Sequence, residues 1–160
     1  MAVMNNALGQ EGTATYLDTG NPDLCVIDFA SNTTHARDYA PVWLKYLADD
    51  VTLEGTMMNG AVRGAETVQA ILGYVRTLYE GQQIRFAGPY EHNGFLEVYN
   101  TRVRGEPIGS VVLVTRNAAG QAQHIAASYR PRGSALLVSR MVGEHFAGTP
   151  IANYFASSAD

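Results

Sequence analysis

The sequence predicts an α+β fold in which helices pack on one face of an antiparallel sheet. Apolar residues recur at helical spacing in the first half of the chain, whereas the second half consists of apolar runs separated by tight-turn sequences. Helices and strands are therefore segregated along the chain, which is typical of α+β domains. The 160 residues suffice for one domain with its own hydrophobic core.

The start of the chain predicts an arm followed by two helices. Residues 1–21 are polar and rich in turn-forming residues, so we expect a flexible arm. The Asn21-Pro22 pair is typical of a helix start and predicts a first helix that reaches Ala30. A second helix is expected to end near Ala48, because apolar residues follow the i, i+3, i+4, i+7 pattern at Ala40, Trp43, Leu44 and Leu47.

A short strand at Val51–Leu53 and a third helix from Gly64 to Tyr79 are expected next. The third helix carries the apolar stripe of a core-facing helix at Val68, Ile71, Leu72, Val75 and Leu78. Alternating or continuous apolar runs then predict strands at Gln83–Tyr90, Phe95–Val103, Ile108–Arg116 and Gln121–Arg130. A final helix is expected over Ser134–Phe146.

Charge and composition exclude several classes of protein. The net charge of −4 and the absence of any Lys/Arg run argue against a nucleic-acid surface. No apolar run is long enough to span a bilayer, and the first residues do not resemble a secretory signal, so we expect no membrane partner and a cytoplasmic location. The single cysteine, Cys25, is expected to be a buried core residue rather than a nucleophile.

Metal and cofactor signatures are not found in the sequence. The four histidines have neither the spacing of metal ligands nor a cysteine companion; they are His35, His92, His124 and His145. The chain also lacks a Walker loop and the glycine-rich motifs of dinucleotide and serine-hydrolase sites. We therefore expect no metal and no cofactor.

Several short motifs in a characteristic order suggest a family. They are Tyr46-Leu47-Ala48-Asp49-Asp50-Val51, Val62-Arg63-Gly64-Ala65-Glu66, Gly88-Pro89-Tyr90 and Gly120 through Tyr129-Arg130-Pro131. With these motifs the chain resembles the nuclear transport factor 2-like superfamily, and within it the SnoaL-like domains related to polyketide cyclases and ketosteroid isomerases.

The resemblance implies a cone-shaped α+β barrel, with a curved antiparallel sheet wrapped around N-terminal helices and an apolar pocket at one end. It implies three parts: the arm at 1–21, the cone domain at 22–131, and an extra C-terminal helix and tail at 132–160. This last part would close the mouth of the cone or pack on a partner subunit. Because relatives commonly dimerise through the sheet, the resemblance also implies a homodimer.

The catalytic residues of two related enzyme families do not occur at the matching positions. The resemblance to ketosteroid isomerases places Gly55 where their general-base Asp stands and Val112 where their protonated Asp stands. The resemblance to limonene epoxide hydrolases places Arg104 and Ala127 where their two Asp residues stand. Glu54 is expected to point away from the pocket, and Gly55 is expected to leave room inside it.

Matched to the family, strand parity implies candidate catalytic residues on the concave face, since alternate side chains of a strand face opposite sides of a sheet. Glu97 and Tyr99 would then be polar groups in an apolar pocket, suited to acid/base chemistry and to polarising a carbonyl group. In the alternative, Glu97 is solvated, or paired with Arg85 or Arg102 across strands. The expected ligand pocket comprises Trp43, Leu53, Gly55, Met57, Tyr90, Phe95, Ser110, Val112, Val114, Ile125, Ala127 and Tyr129.

Two functions fit these residues. The first is an isomerase, cyclase or hydratase that acts on an apolar, carbonyl-bearing small molecule by acid/base chemistry. The second is a ligand-binding or accessory domain with the same pocket and no chemistry, or an oligomerisation domain. The sequence leaves open whether the protein is an enzyme.

Overall fold

The computed structural model describes residues 41–156 together with two short strands nearer the N-terminus, 16–18 and 25–27. The strands are β1 (Tyr16–Asp18), β2 (Cys25–Ile27), β3 (Leu47–Gly55), β4 (Val62–Arg63), β5 (Gln83–Tyr90), β6 (Gly94–Val103), β7 (Glu106–Arg116) and β8 (Ala122–Arg130). The α-helices are α1 (Ala65–Thr77) and α2 (Arg132–His145), and 3-10 helices span Val42–Lys45 and Pro150–Tyr154.

Six strands form one curved sheet in the order β4-β3-β8-β7-β6-β5. All neighbours are antiparallel except β3 and β8, which run parallel, so the expectation of a purely antiparallel sheet is wrong. Parallel strands need a long connection, and α1 with the β5–β7 meander supplies it. Within the described residues the sheet stays open between β4 and β5, so the predicted α+β class is confirmed without a closed barrel.

The first half of the chain differs most from prediction. Cys25–Ile27 pairs with β1 as a strand instead of forming part of a helix, in keeping with the β-branched residues Val26 and Ile27. The remainder of that predicted helix, and nearly all of the expected arm, lie outside the described residues. The side chain of Cys25 also lies outside the description.

The predicted second helix is reduced to a 3-10 turn over Val42–Lys45. Its hydrogen bonds span three residues, from the amide of Leu44 to the carbonyl of Pro41. The strand β3 then begins at Leu47, because Leu47 pairs with Ala122 of β8. Pairing between distant strands therefore overrides the helical spacing of the apolar residues; the part of the predicted helix before Pro41 is not described.

The third helix, the strands of the second half and the final helix are confirmed, with bounds within two residues of prediction. One local difference affects side-chain direction. A bulge shifts the β5–β6 register between Ile84 and Phe86, so Ile84 is buried whereas Phe86 is exposed. The predicted alternation of Ile84 with Phe86 on one face is therefore wrong.

The C-terminal helix α2 shares the hydrophobic core of the sheet through Ala135, Val138 and Val142. The buried Ser139 hydroxyl donates to the carbonyl of Met57 (2.6 Å) and accepts from the amide of Ala156 (2.8 Å). These two bonds attach the segment after α2 to the loop after β3, so α2 and this segment cover that end of the sheet.

Gly55 lies where the backbones of β3 and β8 approach most closely. A Cβ atom at this position would overlap the carbonyl oxygen of Ala127. Gly55 therefore does not leave room in a pocket, as the sequence suggested; glycine is required because the neighbouring backbone fills the space.

We predict that Gly55→Ala destabilises the protein by about 2–4 kcal/mol, since the β3–β8 pair must shift to admit the methyl group. The matched control is Gly73→Ala in α1, where nothing lies near the added Cβ and alanine favours the helix by about 1 kcal/mol. Denaturant unfolding of the two variants should move the midpoints in opposite directions. Equal midpoints would contradict this account of Gly55.

Candidate functional site

Two neighbouring rows of side chains on the helix-facing side of the sheet form the floor of a pocket. Strand register places Glu97, Val112 and Ala127 side by side in one row. The next row holds Tyr99, Ser110 and Tyr129. In the first row Val112 and Ala127 stand beside Glu97, and in the second row the small Ser110 stands between the two tyrosines.

Helix α1 and the segment that follows it form one wall of the pocket. Leu72, Val75, Arg76 and Tyr79 all line it and follow the i, i+3, i+4, i+7 spacing of a single helix face. Gln82, which is buried, adds an amide to the same wall. Pro41, Trp43 and Leu44, at the first 3-10 helix, form the opposite wall.

Glu97 is buried at the centre of this arrangement, with only 2% of its surface exposed. The indole Nε1 of Trp43 donates a hydrogen bond of 3.0 Å to its Oε1 atom. The alternative in which Glu97 is solvated is therefore wrong. Pairing with Arg102 is not supported either, because Arg102 is exposed and donates to the carbonyl of Gly105.

Three tyrosines form a hydrogen-bonded network beside Glu97. The hydroxyl of Tyr79 lies 2.7 Å from that of Tyr99 and 2.9 Å from that of Tyr129. Two bonds use two of the three hydroxyl hydrogens. The third hydrogen can be donated to a further acceptor, such as the oxygen of a ligand.

Burial keeps these tyrosines protonated. Desolvation raises the pKa of Tyr79 well above 10.0, and its two tyrosine neighbours add to the rise. Burial likewise raises the pKa of Tyr99 and of Tyr129. All three hydroxyls are therefore hydrogen-bond donors at neutral pH.

Ser110 is fully buried between Tyr99 and Tyr129 in the second row. Its hydroxyl is close enough to Tyr99 to offset part of the burial-driven rise in the pKa of that phenol. No described group, however, meets the geometry of a hydrogen bond with its Oγ atom. This buried hydroxyl thus has hydrogen-bonding capacity left over, although Ser110 does not line the pocket itself.

The pocket is small in this conformation. It offers about 30 Å³ to the centres of water-sized molecules. That volume holds about two waters and is too small for an organic molecule of several heavy atoms.

Six of the residues that the sequence assigned to the site line this pocket: Trp43, Glu97, Tyr99, Val112, Ala127 and Tyr129. Six others are buried in the core and do not line it: Leu53, Met57, Phe95, Ser110, Val114 and Ile125. Gly55 packs on Ala127 instead. Tyr90 is 46% exposed at the end of β5, so its expected place in the pocket is wrong. The cause is the bulge earlier in β5, which moves each later residue of the strand to the opposite face.

The sequence analysis missed Arg76, Tyr79 and Gln82 as pocket residues. Arg76 and Tyr79 share a helix face with Leu72 and Val75, so the signal was present in the spacing. An apolar stripe does not include arginine, so the helical pattern of apolar residues alone does not identify Arg76.

On the other side of the sheet, Glu54 points away from the pocket as expected and contacts His124. The Nε2 atom of His124 lies 3.1 Å from Oε1 of Glu54, and its Nδ1 atom lies 2.6 Å from the hydroxyl of Thr52. Both His124 and Glu54 are substantially exposed. In the described part of the chain no three His, Cys, Asp or Glu side chains converge as metal ligands. Nor does that part contain a helix long and apolar enough to cross a bilayer.

Comparison with solved structures identifies the fold. A protein of Silicibacter pomeroyi described as having a cystatin-like fold superposes with a TM-score of 0.62 at 20% identity, covering 67% of this chain and 75% of the other. A steroid delta-isomerase of Pseudomonas aeruginosa gives 0.60 at 17% identity, covering 65% and 77%. A de novo designed protein with a curved β-sheet gives 0.52 at 18% identity, covering 66% and 85%.

No protein-family model matches the chain, and no curated protein does. Sequence identities this low show a shared fold and nothing finer. The chain has the nuclear transport factor 2-like fold that its sequence resemblance predicts. Gly55 and Val112 stand at the positions where the sequence resemblance places the catalytic carboxylates of ketosteroid isomerases.

We predict that stability falls as the pH rises above about 10, because the unfolded chain releases phenolic protons that the native state retains. Tyr79→Phe should make this fall shallower, by up to about 1.4 kcal/mol per pH unit. Guanidinium midpoints measured from pH 8 upward test this, with Tyr46→Phe, an exposed tyrosine, as the control. An unchanged slope in Tyr79→Phe would contradict the assignment.

Proposed function

We propose that this protein binds an apolar, carbonyl-bearing small molecule in the pocket and moves a proton on it by acid/base chemistry, as an isomerase, cyclase or hydratase does. The observation that carries the proposal is the convergence, in one small pocket, of a buried carboxyl group with a network of protonated tyrosines. Paired groups of this kind are typical of proton abstraction next to a carbonyl.

In this proposal Glu97 is the general base. Its ionised carboxyl group removes a proton from the carbon next to the carbonyl and returns it to another carbon, so that atoms and charge balance over an isomerisation. Burial supports this role because it keeps bulk water away from the carboxyl group and the carbanion-like intermediate. The hydrogen bond from Trp43 supports it by fixing the position of one carboxyl oxygen.

The tyrosine network is the proposed partner of the carbonyl oxygen. Negative charge develops on that oxygen as the proton leaves, and the hydrogen that the network retains is donated to it. The raised pKa values favour this role, since the hydroxyls remain donors throughout the pH range in which Glu97 acts. Tyr99 lies two residues from Glu97 on the same face of β6. The proton donor, Tyr99, and the base, Glu97, therefore lie on adjacent rows of the sheet.

We predict that Glu97→Gln lowers turnover by about 10²- to 10⁴-fold while binding persists. A panel of apolar ketones and enones is incubated in D₂O, and loss of the proton next to the carbonyl is followed by NMR. Binding is followed separately by the emission of Trp43, the only tryptophan of the chain. The control is Glu54→Gln on the opposite face; equal exchange rates in Glu97→Gln and the parent protein would remove Glu97 from the mechanism.

The alternative is a domain that binds such a molecule without chemistry. It is favoured by the loss of both known catalytic sets, at Gly55, Val112, Arg104 and Ala127. The same panel separates the two functions. Compounds that change Trp43 emission but never exchange a proton would support binding alone.

We also propose that the protein is a homodimer formed through the outer face of the sheet. This face carries an apolar patch of half-exposed residues on neighbouring strands, namely Leu96, Val98, Val111, Leu113 and Ala126. Such a patch is suited to self-association. The cytoplasmic location and the boundaries of the arm, the cone domain and the C-terminal part remain predictions.

We predict a dimer at micromolar concentration by size-exclusion chromatography with light scattering. Leu113→Asp, in the middle of the patch, should convert it to a monomer because a charge would be buried without a partner. Gln69→Asp, on the exposed side of α1, is the matched control. A monomeric parent protein would overturn the proposal.

A further inference from the structure

The pocket contains one carboxyl group and one guanidinium group among its described lining residues. Glu97 lies on its floor and Arg76 on its α1 wall. The other polar lining groups, from Trp43, Tyr79, Gln82, Tyr99 and Tyr129, are neutral when the tyrosines keep their protons. Charge balance inside the pocket therefore depends on this single acid and this single base.

A carboxyl group as buried as Glu97 is costly to ionise without compensation. A hydrogen bond from a neutral indole, such as that from Trp43, does not by itself balance a full negative charge. Arginine, by contrast, keeps its positive charge in every protein environment, and its planar group matches a carboxylate. The half-buried Arg76 is on the helix face that α1 turns toward the pocket, one turn before Tyr79.

We propose that Arg76 is the internal counter-ion of Glu97 and keeps that carboxyl group ionised inside the closed pocket. Arg76 is thus a positioning residue, which acts on the substrate only through Glu97. The inference deepens the proposed function at the same site, because a general base must be ionised before it can accept a proton. The ion pair itself can be measured without any substrate.

Trp43 provides the measurement. Its indole hydrogen-bonds to Glu97, and it is the only tryptophan, so its emission reports the protonation of that carboxyl group. The titratable groups facing Glu97 are Tyr99 on its own strand, Tyr129 on β8, and Arg76 and Tyr79 on the α1 side. The tyrosines stay neutral below pH 10, so Glu97 is the one of these described groups that changes charge at lower pH.

The experiment is a pH titration of Trp43 emission from pH 4 to 9 in the parent protein, Arg76→Gln, Arg76→Lys and Arg85→Gln. We expect Arg76→Gln to move the midpoint upward by about one pH unit or more, since the buried carboxyl group then lacks its counter-ion. Arg76→Lys, which keeps the charge, should stay near the parent value. Arg85→Gln removes an exposed arginine from β5 and should leave the midpoint unchanged.

Equal midpoints in the parent protein and Arg76→Gln would overturn the proposal, as would an equal shift in Arg85→Gln. If Arg76→Gln does not fold at neutral pH, the double variant Arg76→Gln/Glu97→Gln tests the ion pair instead. A folded double variant supports the ion pair because both charges are gone, whereas an unfolded one contradicts it. Neither result depends on turnover, so the ion pair and the proposed activity can fail separately.

Discussion

The backbone of β3 approaches that of β8 so closely at Gly55 that no side chain fits between them. This contact joins the first long strand to the last one and fixes the parallel register from Thr52 to Gly55. The register of β8 in turn decides which residues of β7 and β6 share a row. Gly55 thus lies in the same row of the sheet as Ala127, Val112 and Glu97, and its close contact with β8 belongs to the alignment of that row.

Val112 and Ala127 stand beside Glu97 in one row of the sheet, and Tyr99 and Tyr129 flank Ser110 in the next row. Glu97 is bonded to Trp43, and the tyrosine hydroxyls are bonded to one another through Tyr79. Such a buried network is stable only if nearly every member finds a partner. The Ser110 hydroxyl is an exception to that rule, since no described residue offers it a hydrogen bond of good geometry.

Most of the second half of the fold could be predicted from the sequence, because β6, β7 and β8 form a ladder that is regular across the site. Simple alternation then places Glu97, Tyr99, Val112, Ala127 and Tyr129 on one face. Tyr90 was misplaced because a bulge in β5 is not encoded by alternation. The segment before β3 was misplaced because helical spacing is a local signal, whereas the pairing of Leu47 with Ala122 is not.

Other parts of the site could not be found by searching for apolar patterns. Arg76 belongs to the core-facing side of α1 by position, yet a charged residue is normally assigned to solvent. The sequence predicts empty space at Gly55, whereas the structure shows a close neighbour there. A glycine is compatible with either arrangement, because it has no side chain. Only the position of Ala127 distinguishes these two cases.

The open sheet has two edges that could recruit further strands and lead to aggregation. At one edge β4 pairs over only two residues, Val62 and Arg63, too few to template another strand. At the other edge β5 carries a bulge and Pro89, which has no amide hydrogen to offer, and β2 lies beside it. Neither edge therefore offers a long, regular row of free backbone groups to another chain.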